Sequence, residues 1–242
     1  MHNESNSLNS LLSLRFFVTP AHSCNYFPDR QAITLVVDPE TKLDTGQYSE
    51  LSALGFRRSG GHVYRPHCPS CRDCIPIRLE VDNFKANRSQ RRILRKNTNI
   101  RLTSRPANFY EEHYSLYRRY IQARHPDGGM DNDDPEQYRH FIQTDWCHTV
   151  LLELHEDGEL RAVAVTDVLE NGLSAVYTYF DPSHAARSLG TFAILSQIEH
   201  CRQHNLKWLY LGYWIPDSPK MQYKSGFRPF EYFDGQTWRL KE

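Results

Sequence analysis

The sequence predicts an α+β protein: a loop-rich leading module that carries a cysteine cluster, followed by a mixed sheet with helices packed on it. Three observations carry this. Pro and Gly punctuate the first third so densely that only short apolar runs fit between them. The last hundred residues alternate strand-like runs, two turn signals and one long apolar helical stretch. Between the halves stands a basic run without a single acid. Residues 1–105 are therefore expected to form a cysteine-containing module ending in the basic segment 84–105, and residues 106–242 a second domain built on the sheet.

Residues 8–18 (LNSLLSLRFFV) look superficially like an export signal. They lack a basic start, Arg15 interrupts them and no small-residue cleavage site comes after them, so they read as part of the mature fold. Residues 32–37 (AITLVV) and 75–81 (IPIRLEV) are β-like runs between turns, and 47–55 reads as a short helix with Gly55 near its end. Residues 108–124 read as an amphipathic helix, with Asn108 as N-cap, glutamates early and arginines late. An acidic connector at 125–136 and another short helix come next. Strands at 148–154, 160–169 and 173–181 are expected around turns at Asp157-Gly158 and Asn171-Gly172. A helix from about 188 to 204, a strand at 207–215, a short helix near 219–225 and the pieces RPFEYF and TWRL complete the chain.

Composition narrows the classes. Hydrophobic residues at 39% and charged residues at 24% exclude disordered and collagen-like chains. The formal net charge is zero, so any nucleic-acid role must rest on local clustering. No run approaches the roughly 20 apolar residues of a membrane helix. Six cysteines without an export signal point to reduced thiols and a cytoplasmic location.

Cys68, Cys71 and Cys74 form a C-x2-C-x2-C run, with Cys24 well upstream. Thiolates two residues apart reach one metal from a tight turn, and Cys24 would complete a tetrahedral zinc site or hold an iron–sulfur cluster. Spacing does not choose between them, and His22 or His67 would substitute for one sulfur. Cys147 and Cys201 lie in apolar periodic segments and read as core.

Between 84 and 105 lie Lys85, Arg88, Arg91, Arg92, Arg95, Lys96, Arg101 and Arg105. On a helix, Arg88, Arg91, Arg92 and Arg95 share one face. A cationic face without interspersed acids calls for an anionic partner, and a nucleic-acid backbone supplies one. The competing reading is a solvated helix paired with the 127–136 acids.

Arg187-Ser188-Leu189-Gly190-Thr191-Phe192 opens the long apolar helix. Its first part matches the Arg/Gln-x-x-Gly-x-Gly/Ala pattern with which acetyltransferases of the GNAT type cradle coenzyme A. Gly190 would lie at the helix start, where free N–H groups favour anions or an oxyanion. Phe192 stands where a small residue normally lets the phosphates approach, which argues against coenzyme A and for another acyl donor. Tyr177, Tyr179, Phe180, Tyr210, Tyr213 and Trp214 make this half aromatic, and period two places Tyr177, Tyr179 and Asp181 on one side of their strand.

The tracts LRFFVTPAHSCNYFPDRQA, GFRRSGGHVYRPHCPSCRDCIPIR, RSQRRILRKN, YSLYRRYI, YTYFDPS, SLGTFAILSQIE, LYLGYWI and KMQYKSGFRP together resemble the arginyl-tRNA–protein transferase family, in particular its bacterial, leucine-transferring branch. The resemblance covers nearly the whole chain. It implies an N-degron enzyme with a GNAT-like second half, moving leucine from leucyl-tRNA to proteins that begin with Asp or Glu. Arginine as donor, a coenzyme A-dependent acetyltransferase and a non-catalytic RNA-binding module are the alternatives. It implies no cofactor for the transfer itself, with zinc or iron–sulfur at Cys24, Cys68, Cys71 and Cys74. Asp181, with Tyr179 and Tyr213, is the expected catalytic group for holding or deprotonating the amine. Arg65 and Arg78 are expected to bind the acceptor's carboxylate. Arg88, Arg91, Arg92, Arg95, Lys96, Lys220 and Lys224 are expected to contact tRNA.

Overall fold

The computed structural model describes residues 11–124 and 134–242. The 125–136 connector lies outside the described residues except for its last three, and so does the start of the 8–18 segment.

Two sheets carry the chain. The smaller has the order β1-β4-β6-β5, from β1 (Phe16–Val18), β4 (Thr34–Val37), β5 (Arg57–Ser59) and β6 (His62–Pro66), all antiparallel. A two-stranded ribbon, β2 (His22–Ser23) with β3 (Gln31–Ala32), stands beside it. Helix α1 (Thr45–Ala53) starts on Asp44, which accepts from the Gln47 amide while Gln47 reaches back in a capping box. It buries Tyr48 and Leu51 completely.

The larger sheet has eight strands in the order β14-β13-β7-β12-β11-β10-β9-β8. These are β7 (Ile75–Glu80), β8 (Ile100–Pro106), β9 (Thr149–Glu156), β10 (Glu159–Leu169), β11 (Gly172–Phe180), β12 (Trp208–Trp214), β13 (Phe230–Phe233) and β14 (Trp238–Lys241). The β11–β12 pair is parallel and the other described pairs are antiparallel. The α+β class with a mixed sheet is therefore as expected. Strands β7 and β8, although they come from the leading segment, belong to the same sheet as the strands of the second half.

Asp157 and Gly158 both take positive φ, which matches the right-handed twist of the β9–β10 hairpin. The next turn differs from expectation. Leu169 pairs with Gly172, so Glu170 and Asn171 make the turn and Gly172 already belongs to β11. Its side chain is absent for a different reason: a Cβ there would meet the Trp208 carbonyl oxygen at 2.5 Å.

Period two divides the core. Ala162, Ala164, Leu152 and Leu154 pack beneath helix α5 (Leu189–Gln203), with Leu189, Phe192 and Ala193. Val163, Val165, Leu151 and Tyr179 face the other way, onto helices α3 (Glu111–Arg124) and α4 (Pro135–Ile142). Helix α3 begins three residues after Asn108, which is outside the helix; the Asn108 amide instead donates to the Pro106 carbonyl. The helix expected near 219–225 is a single 3-10 turn, Gln222–Gly226. The basic segment splits into helix α2 (Arg88–Lys96) and the edge strand β8. Among the described residues no helix is long and apolar enough to cross a membrane.

A buried ion pair fastens the small sheet to the large one. Arg58 on β5 meets Asp167 on β10 through two bonds of 2.7 Å, with both side chains fully buried. Thr149 and Tyr48 donate to the same carboxylate, at 2.7 and 3.1 Å. The guanidinium also serves the carbonyls of Gly60, Phe141 and Ile142.

Candidate active site

The parallel strands β11 and β12 begin together and then part. Their pairing runs from Gly172↔Trp208 to Ser174↔Tyr210 and stops. Both carry a bulge at that point. On β11, Val176 is the extra residue between the pairs Ala175↔Thr166 and Tyr177↔Val165. On β12, Leu211 is skipped between Tyr210↔Arg78 and Gly212↔Ile77. Bulges bend and twist strands, so two facing each other open a cleft in the sheet. Exposure changes accordingly: residues 172–174 are buried, whereas Ala175, Val176, Tyr177 and Thr178 are half-exposed.

Carbonyls released by a bulge need donors, and cationic side chains supply them here. Arg57, neighbour of Arg58 on β5, points to the opposite side and enters the cleft. Its Nη2 donates to the carbonyls of Ala175 (2.7 Å) and Val176 (3.0 Å). To do so it crosses Gly212, which has φ +72° and where a Cβ would overlap the guanidinium. From the 3-10 turn Gln222–Gly226, Lys224 donates to the Tyr213 carbonyl at 2.8 Å and is 5% exposed. Burial pushes its pKa well below the ordinary lysine range, and nearby Arg57 pushes the same way. Tyr223, on the same turn, lies within electrostatic reach of Arg57 and Tyr120. The Tyr120 ring contacts Tyr177 and Phe180 of β11. The result is a cleft floored by backbone, bordered by tyrosines and carrying a guanidinium and a buried amine.

The arginine helix borders this cleft. At its N-terminus, Asn87 and Gln90 both donate to the Gly226 carbonyl, on the turn that carries Lys224. At its C-terminus, Lys96 donates to Ala186 at 2.6 Å and Asn97 to Arg187 at 3.0 Å, in the turn Pro182–Arg187 that comes after β11. Arg88, Arg91, Arg92, Arg95 and Lys96 are exposed along it.

Several sequence-predicted residues stand elsewhere. Tyr179 is fully buried, its hydroxyl 2.6 Å from that of Tyr138, because the α3/α4 face of β11 is core. Tyr213 is 3% exposed and donates to the carbonyls of Gly55 and Tyr64, joining β12 to the small sheet. Asp181 caps the turn after β11: Ser183 donates to it through amide and hydroxyl, and Arg161 lies 3.6 Å away. Burial raises its pKa, but the Ser183 bonds, His184 and Arg119 outweigh this and hold it below the usual range, as suits a fixed anion rather than a base. Arg78 is bound to Glu231 at 2.7 Å and sandwiched between the Trp208 and Trp238 rings. Arg65 is half-exposed; it donates to the Leu54 carbonyl and lies over Phe56. Lys220 is exposed, whereas Lys224 is internal for the reason just given.

The start of α5 is built unlike a pyrophosphate cradle. A Cβ on Gly190 would lie 3.2 Å from the Phe180 ring, and Phe192 is buried core. Arg187 is consumed by Glu156, Asn97, Asn99 and the Lys96 carbonyl. Arg187 and Asn99 together hold the Glu156 carboxyl at about 2.

The four clustered cysteines are neighbours. Burial raises the Cys74 thiol to about 12, and Cys24, Cys71 and Cys68 each add to the rise. Cys71 Sγ receives Arg30 at 3.6 Å, and Cys68 Sγ points at the Ile33 carbonyl at 3.7 Å. No three of these sulfurs lie within 4.8 Å of one another, wider than four Zn–S bonds of about 2.3 Å allow. Among the described residues the group that does converge is Glu112, His113 and Glu153, and Arg105 fills it at 2.8 and 3.2 Å.

Sequence reasoning missed Arg57 and the role of Gly212. A glycine inside the apolar run LYLGYW was the available signal, since an interior strand glycine marks a bulge or a close approach.

The gap between the parted parallel strands, bridged by Arg57 and shouldered by the arginine helix, belongs to an aminoacyltransferase, as the relatives of the chain show. Two family models match, described as arginine-tRNA-protein transferase, N terminus, over residues 22–92, and arginine-tRNA-protein transferase, C terminus, over residues 112–234. The chain belongs to the arginine-tRNA-protein transferase family. It is similar to the aspartate/glutamate leucyltransferase of Chromohalobacter salexigens, 51% identical over 93% of this chain and 92% of that one. The protein of the same name from Alcanivorax borkumensis is 50% identical, covering 96% of each chain. Among solved structures, FemX is similar at a TM-score of 0.47 and 8% identity, over 93% of this chain and 87% of that chain.

Proposed function

We propose that this chain transfers leucine from leucyl-tRNA to the N-terminal amine of proteins that begin with Asp or Glu, in the cytoplasm, with the β11–β12 cleft as the reaction site. The observation that carries the reading is the exposed arginine face of α2 running along the rim of that cleft. A tRNA lying on α2 would bring its acceptor end to the gap, where the ester meets the incoming amine. The ester is already activated, so alignment of amine and carbonyl supplies most of the acceleration, up to ~7–11 kcal/mol in well-oriented systems. No cofactor enters this step. Zinc or an iron–sulfur cluster at Cys24, Cys68, Cys71 and Cys74 would require the sulfurs to draw together, and its role would be structural.

The test uses labelled leucyl-tRNA and, separately, arginyl-tRNA, with peptides headed by Asp, Glu, Asn and Ala. Label is expected in the Asp- and Glu-headed peptides from leucyl-tRNA. Label in none of them, or equal label in the Ala-headed peptide, overturns the reading. The contribution of α2 has its own signature. Replacing Arg88, Arg91, Arg92 and Arg95 with Gln is expected to raise KM for leucyl-tRNA more than tenfold with kcat nearly unchanged. The slope of log KM against log salt should become shallower by about 0.7–0.9 for each phosphate contact removed.

A further inference from the structure

Arg57 and Lys224, both turned into the cleft, have no acidic partner among the described residues. Arg57 donates to the carbonyls of Ala175 and Val176, and Lys224 to that of Tyr213. Among the described residues no carboxylate makes an ion pair with either. Other inward-turned arginines here are treated differently: Arg58 has Asp167, Arg78 has Glu231, and Arg161 and Arg187 share Glu156. A half-buried guanidinium beside a buried amine, without an anion, is electrostatically unfinished. The deficit lies where the central strands part.

We propose that Arg57 and Lys224 together form the pocket for the acidic side chain of the acceptor's first residue, so that they, rather than Arg65 or Arg78, determine its specificity. The inference rests on the β11–β12 cleft being the reaction site. The acceptor's carboxylate would complete the pair, accepting from Arg57 through Nη1 or Nε, since Nη2 serves the two carbonyls, and meeting Lys224 as a point charge. Burial of Lys224 makes its charged form costly in the empty cleft, and an arriving carboxylate reverses that penalty. The same positive field disfavours a protonated α-amine nearby, which keeps the nucleophile in its neutral, reactive form. A neutral Asn or Gln side chain supplies no charge and leaves Arg57 and Lys224 without a counter-ion, so the same two residues discriminate between Asp and Asn heads. The phenol of Tyr213, 3% exposed and within electrostatic reach of Arg57, does not compete as an anion, since burial raises it.

The experiment measures kcat/KM for peptides differing only in an Asp or Asn head, in wild type, Arg57→Gln, Arg57→Lys and Lys224→Met. The ratio of the two rates is read within each preparation, so a partly unfolded variant still reports it. Arg57→Gln and Lys224→Met are each expected to reduce the Asp/Asn ratio at least 30-fold, while the Kd for leucyl-tRNA stays within threefold of wild type. Arg57→Lys keeps a charge but loses the fork, and should retain an intermediate ratio. If either Arg57→Gln or Lys224→Met keeps the wild-type ratio, the pocket lies elsewhere. Where one variant yields no active protein, the ratio in the other decides. A wild-type enzyme that leucylates no peptide removes the reading of the cleft itself, an outcome distinct from unchanged selectivity in the variants.

Discussion

Asp167→Ala is expected to cost about 3–5 kcal/mol of stability, because removing one partner leaves a buried guanidinium with no counter-charge. For a chain of this size that corresponds to a fall in Tm of roughly 6–20 °C. The pair is completely dry, with both side chains at 0% exposure, so no solvent screening softens the loss. Thr149 and Tyr48 also lose the acceptor of their buried hydroxyl protons. The double variant Asp167→Leu with Arg58→Met should be less destabilised than the sum of its single variants by more than about 1 kcal/mol, which is the mark of a direct interaction. A loss below about 1 kcal/mol in Asp167→Ala would show that the two sheets are fastened by other means. Activity should fall as well in protein that remains folded. Arg58 and Arg57 are consecutive on β5, and the anchor on one face of that strand fixes the residue that reaches into the cleft on the other.

What was legible in the sequence was what local pattern encodes. The hairpin at Asp157-Gly158 and the helix α5 both arise from turn chemistry and apolar periodicity, and their bounds match expectation to within two residues. Strand β12 was equally plain. Strand β7 was legible as a β-like run, but its pairing was not: a strand before the basic helix pairs with one in the last quarter of the chain, and nothing local announces a non-sequential partner. The two bulges were hidden for a related reason. Val176 and Leu211 are ordinary strand formers, and only the registers of β11 against β10 and of β12 against β7 reveal that each is one residue too many. Because the cleft exists through those bulges, the residues that serve it could not be told from their neighbours. Asp181 and Tyr179 stand out by chemistry, yet the fold uses one to cap a turn and the other to fill the core. Lys224 stands out by its charge, but its burial depends on a turn held against β12 and α2.

Gly212→Ala is expected to lower leucyl transfer by at least 100-fold, about 2.7 kcal/mol of barrier, while the protein remains folded. Two effects combine at this position. The backbone is left-handed, with φ +72°, which costs a non-glycine residue about 1–2 kcal/mol. The added methyl also overlaps the Arg57 guanidinium, so the side chain must withdraw and the carbonyls of Ala175 and Val176 lose their donor. Gly158→Ala separates these contributions. Gly158 has φ +84° and open space where its Cβ would lie, far along the sheet at the β9–β10 turn. It should reproduce the backbone strain, a Tm lower by a few degrees, with kcat/KM unchanged. A Gly212→Ala enzyme as active as Gly158→Ala would mean that Arg57 can leave its seat between the parted strands without consequence. In that case the cleft works without the cation that now bridges it. A somewhat lower Tm in Gly212→Ala than in Gly158→Ala, with a far larger difference in turnover, is the expected contrast, because Gly212 is the opening through which an arginine crosses the strand.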